Sequence, residues 1–356
     1  TPPMAAEIEL KLSLSQQSQN SLKQHPLLRS CQRQAPQQRT LYNRYFDTPE
    51  RALNQHKVAL RIRRQGSDYI QTLKTRGNSE GGLHQRQEWE WTLHSDHLAP
   101  QLLPADALPA GLDPSLLQPI FTTDFERTTW LLDYPHRSGS ACIELVLDQG
   151  WVSSGELRDP IHEIELELKG GAAEALIDFA RELACQIPLR ICRISKAERG
   201  FRLTQPLRAR WLPEITAPAP QAAAAEAFYH LCGQLTERLQ ICMEGFEFLH
   251  EPPQLLPLYE DLEQLQLLLQ GGSPQLPSEV QGLPQQLGDL LDTLRPLLAT
   301  LLLQQRWGTD FGAAHGDTAT AETLNPWLEQ LELGQVLLDL SALLYHRPWQ
   351  ASLAMG

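Results

Sequence analysis

Three stretches of the chain carry an ionisable side chain on every second residue. They are Glu7-Ile8-Glu9-Leu10-Lys11, Leu60-Arg61-Ile62-Arg63 and His162-Glu163-Ile164-Glu165-Leu166-Glu167. In extended backbone alternate side chains share a face, so Glu7, Glu9 and Lys11 project together while Ile8, Leu10 and Leu12 pack behind them. Neighbours two apart on such a face lie roughly 7 Å from each other. Like charges at that spacing repel in a low-dielectric enclosure and need counter-charges. Hard divalent cations take carboxylate oxygens and fill their other positions with water and phosphate oxygens. Guanidinium forks match phosphate oxygens with two parallel bonds. One cavity holding cations against the carboxylates and a polyanion against the arginines would satisfy both signs.

The alternation extends further. Arg86, Glu88 and Glu90 share one face of 86–92 and Gln87, Trp89 and Trp91 the other. Along 140–148, Cys142, Glu144, Val146 and Asp148 oppose Ile143, Leu145 and Leu147. Lys74 ends the run Tyr69 to Leu73, and Arg127 sits among Thr and Phe. A sheet with one solvated face also alternates. Such a face, however, mixes in Ser, Thr, Gln and Asn and intersperses its signs, whereas here Glu clusters with Glu and Arg with Arg. If the strands curl into a barrel, this face becomes the lumen. A lumen lined by both signs is costly unless its charges are paired, hydrated or bound to ligands.

Strands must position these groups. Eight are expected near 5–14, 39–46, 57–64, 68–75, 86–93, 124–133, 140–148 and 161–169, separated by turn signals such as Gly66-Ser67-Asp68 and Ser138-Gly139. The Leu-, Pro- and Ala-rich segment 98–120 is expected to carry short helices. Residues 172–186 read as a helix, and Ser195 can N-cap another that begins Lys196-Ala197-Glu198-Arg199. The stretch 205–221, with Pro206, Pro213, Pro218 and Pro220, reads as a linker. Amphipathic Leu-rich segments follow near 222–244, 253–271, 283–306 and 323–345, with breaks at Gly245, Gly271-Gly272-Ser273-Pro274 and Gly308 to Gly316. That pattern suits an antiparallel helical bundle.

A chain of 356 residues suggests two domains, at about 100–200 residues each. No run approaches the roughly 20 apolar residues of a membrane span, and the N-terminus lacks the charged-then-apolar start of a secretory signal. Thr1-Pro2-Pro3 ahead of Met4 reads as a cloning remnant and is set aside. Six cysteines without CxxC spacing read as reduced thiols of a cytoplasmic protein. The charge is uneven: residues 214–356 hold 18 acidic groups against four arginines and no lysine, a net of −14, in a chain of net −13. The first part is therefore near neutral and the second strongly acidic, so the two are expected to differ in function. Neither membrane nor nucleic acid is an expected partner, since binding phosphodiester backbones needs Lys and Arg. No Walker A loop, GxGxxG, HExxH or GxSxG occurs.

Glu7-Ile8-Glu9-Leu10-Lys11 resembles the ExExK signature of the CYTH proteins, the triphosphate tunnel metalloenzymes. The likeness continues in order through Tyr45-Phe46-Asp47-Thr48-Pro49, Leu60-Arg61-Ile62-Arg63, Thr72-Leu73-Lys74 and Gly82-Leu83-His84-Gln85-Arg86. It runs on through Thr123-Asp124-Phe125-Glu126-Arg127, Glu144 to Asp148, Glu163-Ile164-Glu165 and Ser195-Lys196-Ala197-Glu198-Arg199-Gly200. The chain looks most like the bacterial two-domain members, inorganic triphosphatases with a CHAD helical domain behind the CYTH domain. The fold class this implies is α+β: an eight-stranded antiparallel β-barrel tunnel, then an all-α bundle. The domains would be a CYTH tunnel domain at 4–204, the linker at 205–221 and a CHAD-like domain at 222–356.

The resemblance also implies roles. Glu7, Glu9, Glu163 and Glu165 would bind the metal, Mg²⁺ or Mn²⁺, with Glu144, Asp148 and Glu167 in the same acidic set. Either the first or the last pair of Glu163, Glu165 and Glu167 could be the binding pair. Lys11, Arg61, Arg63, Lys74, Arg86, Arg127, Lys196 and Arg199 would hold phosphates, with Lys11, Glu163 and Glu165 catalytic. By spacing alone, Lys196 and Arg199 would read as a solvated helix face. The implied reaction is hydrolysis of inorganic triphosphate, or a related small polyphosphate, to diphosphate and phosphate. Rivals are thiamine triphosphatase, class IV adenylate cyclase and a non-catalytic polyphosphate binder. The second domain lacks the basic surface of CHAD domains and is shorter. It is expected to be a degenerate bundle whose leucine faces serve packing, docking or self-association. His230, His250, His315 and His346 show no ligand spacing and read as ordinary histidines.

Overall fold

The charged alternation resolves into long antiparallel strands in the computed structural model, which describes residues 5–272, 276–312, 316 and 319–348. Thr1 to Met4 and His315 lie outside the described residues. Two units are distinguished, Thr1–Leu176 with Ile194–Pro206, and Ile177–Arg193 with Leu207–Gly356. No described helix is long and apolar enough to cross a membrane.

The first unit holds β1 (Ala5–Ser13), β2 (Gln37–Asp47), β3 (Ala59–Gln65), β4 (Asp68–Lys74), β5 (Asn78–Glu80), β6 (Leu83–Leu93), β7 (Gln118–His136), β8 (Gly139–Ser154) and β9 (Leu157–Gly170). Eight of these close into an antiparallel barrel of order β1-β9-β8-β7-β2-β3-β4-β6, with β6 pairing back to β1. The short β5 pairs only with the start of β6. Strands β7, β8 and β9 run longer than the charge pattern alone indicates. Pairing continues from Gln149↔His162 to Ser154↔Leu157, around a turn at Gly155 with φ +60°. At Gly150 a Cβ would lie 2.1 Å from the Asp124 carbonyl oxygen, so only glycine lets β8 approach β7 there.

The apolar strand faces point outward and are covered. Leu60, Ile62, Leu73 and Trp89 pack with Leu53, Val58 and Leu103, and the 98–117 segment lies against them through Leu98, Leu108 and Leu112. That segment holds three 3₁₀ turns, Pro100–Leu102, Ala105–Ala107 and Pro114–Leu116. Gln71 pins it by exchanging hydrogen bonds with Ala99 at 2.8 and 3.1 Å. Within Tyr45 to Pro49, Asp47 has a structural part: its buried carboxylate accepts from the backbone of Thr48, Leu53 and Asn54 at 2.7 to 3.0 Å. With the oil outside under this covering, the lumen is left to charge.

Helices α1 (Gln16–Lys23) and α2 (Pro26–Cys31) lie outside the elements expected from sequence, yet they begin at Ser15 and at His25-Pro26, both cap signals. Helix α3 is the short Ala52–Gln55 and α4 is Glu174–Ala184. Helix α5, Lys196–Thr204, opens with a capping box between Ser195 and Glu198. It lies against β7, β8 and β9. Its seat is Gly200, where an added Cβ would fall 2.1 Å from a Phe121 ring carbon. Phe121 also stacks on Tyr45 and meets Phe201 edge-on.

The second unit contains α6 (Ala224–Leu249), α7 (Leu256–Gly272), α8 (Leu283–Trp307), α9 (Ala321–Leu328) and α10 (Leu331–His346) around a leucine core. Gly245 is not a break. Helix α6 runs through it, because the missing side chain admits the Ala209 carbonyl, 2.6 Å from where a Cβ would stand. The expected helix at 323–345 is instead two, parted at Glu329-Gln330. Part of the proline-rich 205–221 stretch is held along α6: Leu212 and Ile215 pack on the core, Arg238 donates to the Pro213 carbonyl, and Thr216 N–H donates to Gln234 Oε1 at 2.8 Å. His230 bonds Thr216, and His250 caps α6 in the left-handed region.

Gly200→Ala should destabilise the chain by about 1–3 kcal/mol through overpacking, read as a lowered urea midpoint. Unchanged stability would mean that α5 does not rest on Phe121.

Candidate active site

Register sets the lumen. On β1, β9 and β8, Glu9, Glu167 and Glu144 are cross-strand partners in one row, and Lys11 faces Glu165 in the next. A third row joins Ser13, Glu163, Asp148 and Arg127. These inward groups enclose a cavity of about 280 Å³. Of the residues singled out in the sequence, Glu7, Glu9, Lys11, Arg61, Arg63 and Lys74 line it, as do Arg86, Arg127, Glu144, Glu165, Glu167 and Lys196. Asp148, Glu163 and Arg199 do not.

Asp148 and Glu163 stand fully buried behind the lining and hold its cations. Lys196 Nζ lies 2.5 Å from Glu163, 2.7 Å from Asp148 and 3.0 Å from Glu165. Arg127 makes two bonds to Asp148, at 2.7 and 2.8 Å, and reaches Glu165 at 3.3 Å. Lys11 Nζ is 3.5 Å from Glu165 and 3.8 Å from Glu163. Burial by itself favours the neutral forms, but here the pairing wins. It holds the Asp148 and Glu165 carboxyls below their ordinary values and the Lys11, Arg127 and Lys196 cations above theirs. Asp148, Glu163 and Glu165 offer oxygens within 4.8 Å of one another, a set that could hold a metal ion. An ammonium already sits among them. Arg199 lies 3.4 Å from Asp159, which Arg202 also meets at 2.6 Å, and 3.6 Å from Glu163, tying α5 to β9.

The β2–β3 wall is different. Arg63 Nε donates to a neutral partner, Asn43 Oδ1, at 2.9 Å, and Asn43 donates in turn to Thr123 at 3.0 Å. Burial, then the charges of Arg61 and Arg127, push Arg63 down to about 9. The buried Nε of Arg61 has no acceptor; burial works against its charge, but Tyr45, which the guanidinium hydrogen-bonds, and Glu88, 3.9 Å away, hold it above its ordinary value. This wall is short of negative charge. Tyr45, the cross-strand partner of Arg61, also lines the cavity and is 4% exposed. Burial would raise its phenol, but Arg61, Lys196 and Arg63 bring it below the ordinary value. In the sequence Tyr45 stands only as part of a motif, although strand alternation from Asn43 puts it on the inward face.

Carboxylates dominate the β1, β8 and β9 edge. Lys74 lies 3.0 Å from Glu7 and 2.7 Å from Glu88, and Arg86 is closely paired with Glu9. Lys169, also unassigned from sequence, lies 2.6 Å from Glu167 and 3.9 Å from Glu144. Burial raises Glu7, with a further rise from its hydrogen bond to Glu88. Burial likewise raises Glu167, and the neighbouring Glu7 and Glu144 charges add to it against Lys169. Burial first, and neighbouring carboxylates second, leave Glu7 and Glu167 reluctant to ionise. Glu144 and Glu167 are cross-strand partners and, with Glu7, line the cavity, so they offer it the carboxylate oxygens that a hard divalent cation takes.

Asp148→Asn should cost about 3–5 kcal/mol in urea unfolding, since it strips buried cations of a partner. Because Asp148 and Glu165 titrate lower in the folded chain, their stabilisation is complete above the ordinary values of 3.8 and 4.5. It is lost progressively as pH falls below them. The Asp148→Asn variant should show a shallower acid loss than the wild type, and equal slopes would contradict the pairing.

The family model described as CYTH domain matches residues 5–201. The inorganic triphosphatase of Haemophilus influenzae is 38% identical over 205 residues, covering 56% of this chain and 55% of that protein. The chain thus spans about half the length of the curated relative it matches. Among solved structures, an adenylyl cyclase candidate from Hippeastrum, described with a dominant triphosphatase activity, is 20% identical with a TM-score of 0.39 and covers 55% of this chain and 96% of its own. An adenylate cyclase candidate from Bacillus halodurans is 23% identical with a TM-score of 0.31, covering 51% and 89%. With its model matched over more than half of the residues, the chain belongs to the CYTH family.

Proposed function

We propose that the barrel hydrolyses inorganic triphosphate to diphosphate and phosphate, with Mg²⁺ or Mn²⁺ at the acidic edge. The observation that carries this reading is the Arg61–Arg63 wall: half-buried guanidiniums, one held by a neutral amide, across from crowded carboxylates. A phosphate chain supplies the missing negative charge on one side and oxygen ligands to a cation on the other. The likeness to the Haemophilus influenzae inorganic triphosphatase supports the same reaction.

Arg61, Arg63, Arg127, Lys196 and Lys11 bind and orient the phosphate oxygens in this reading. Asp148 and Glu163 keep Arg127 and Lys196 aimed, so that no reorganisation is needed as charge moves during the reaction. Glu7, Glu144 and Glu167 hold the cation. When bound, it neutralises phosphate oxygens and lowers the pKa of attacking water. Water oxygen attacks the terminal phosphorus, the bridging P–O bond breaks, diphosphate leaves, and the water's protons end on the oxygens of the phosphate and diphosphate products. Tyr45, among Arg61, Arg63 and Lys196, offers its phenol O–H to a phosphate oxygen. Asp159, through Arg199 and Arg202, positions α5 and so Lys196.

A specific observation favours triphosphate over organic triphosphates. The lining offers only Tyr45, Ala59 and Ala197 as nonpolar residues, little for a nucleobase or thiazolium to rest on. We read the helical unit as an acidic CHAD-like bundle that does not itself bind polyphosphate.

Phosphate release from triphosphate should exceed that from ATP and thiamine triphosphate, measured side by side with Mg²⁺ or Mn²⁺. Arg63→Gln should lower kcat/KM about 10²–10³-fold, and Glu167→Gln or chelator should abolish turnover. A preference for ATP would sink the substrate assignment. Tight triphosphate binding without turnover would instead make the barrel a binder.

A further inference from the structure

We propose that Lys169 is a built-in counter-ion of the acidic edge, an ammonium that occupies the cation's place between Glu144 and Glu167 and must leave before a divalent ion binds. This rests on the reading of that edge as the metal site.

Two lysines lie between carboxylates of β8 and β9. Lys196 is 6% exposed and is gripped by three carboxylates at 2.5 to 3.0 Å. It comes from α5, which Gly200 and the Asp159 pairs hold in place. Lys169 stands at the open end of β9, two residues beyond Glu167 and on the same face. Its side chain is 39% exposed, against 17% for Lys74 and 23% for Arg86, the other cations paired along this edge. It touches Glu167 at 2.6 Å and lies within 3.9 Å of Glu144. A half-solvated lysine on a flexible stem exchanges its carboxylates for water at small cost. The same step is closed to Lys196.

The arrangement divides the two acidic sets by function. The buried set keeps its ammonium and uses it as a hydrogen-bond donor to phosphate oxygens. The edge set keeps its ammonium only until a stronger cation arrives, which lets crowded carboxylates persist in the ion-free chain. Competition from Lys169 then sets how much divalent ion is needed to load the site.

The test measures Mn²⁺ binding to the full chain by electron paramagnetic resonance of the free ion, without substrate. Lys169→Met should lower the Mn²⁺ Kd about three- to tenfold, the scale of one removed, partly screened like charge. Lys169→Arg, which keeps the charge, should stay near wild type, and Glu167→Gln should bind more weakly. An unchanged or higher Kd for Lys169→Met overturns the proposal, as does equal tightening by Lys169→Arg. No Mn²⁺ binding by any chain would overturn the metal-site reading itself, and the counter-ion role with it.

Discussion

Lys196, enclosed by Asp148, Glu163 and Glu165, is the contact on which the rest of the barrel interior depends. Each carboxylate alone would be driven toward its neutral form by burial, and so would the ammonium. Together, with Arg127 completing the set, pairing outweighs burial and keeps Asp148, Glu165 and Lys196 in their charged forms. The cluster joins three strands and α5, so it fixes the lumen's shape as well as its charge. Removing any one member would leave the others as uncompensated buried ions.

From that cluster the cavity acquires a gradient. Its depth is balanced, the β2–β3 wall is short of anions, and the β1–β8–β9 edge is short of cations. The chain's own side chains relieve these imbalances only in part: Arg63 has an amide for a partner, and Glu7 and Glu167 stay above the ordinary carboxylate value despite Lys74 and Lys169 beside them. An enclosure with unmet demand of opposite sign on facing walls is suited to an anion that brings its own metal. The barrel can afford charge inside because its hydrophobic burial lies outside, where the 98–117 segment covers the apolar faces of β3, β4 and β6.

The helical unit follows ordinary rules. Leucines at helical spacing bury one stripe of each helix, and the charged faces are left to water. Its entry segment is less free than its prolines suggest. A fixed φ and few backbone donors make such a stretch cheap to hold extended, and Arg238, His230 and Gln234 supply the missing partners. Gly245 belongs to the same logic, since it marks where backbone from the entry segment presses against α6.

Strand number, the inward identity of Glu7, Arg61, Arg63 and Glu167, and the barrel-then-helices order were all legible in the chain, because a period of two assigns each side chain a face with no tertiary information. Lys196 was legible only through a family pattern, since i,i+3 spacing on a helix equally describes a solvated face. Three things required the closed structure. Register decided that Asp148 and Glu163 sit behind the lining and Lys169 beside Glu144. Backbone approach decided that Gly150, Gly200 and Gly245 are contacts and not turns. Burial decided which charges are satisfied. Local sequence determines which way a side chain points from its own strand, but what it meets there depends on strands far away along the chain. For ionised groups in low dielectric, that meeting sets the energy.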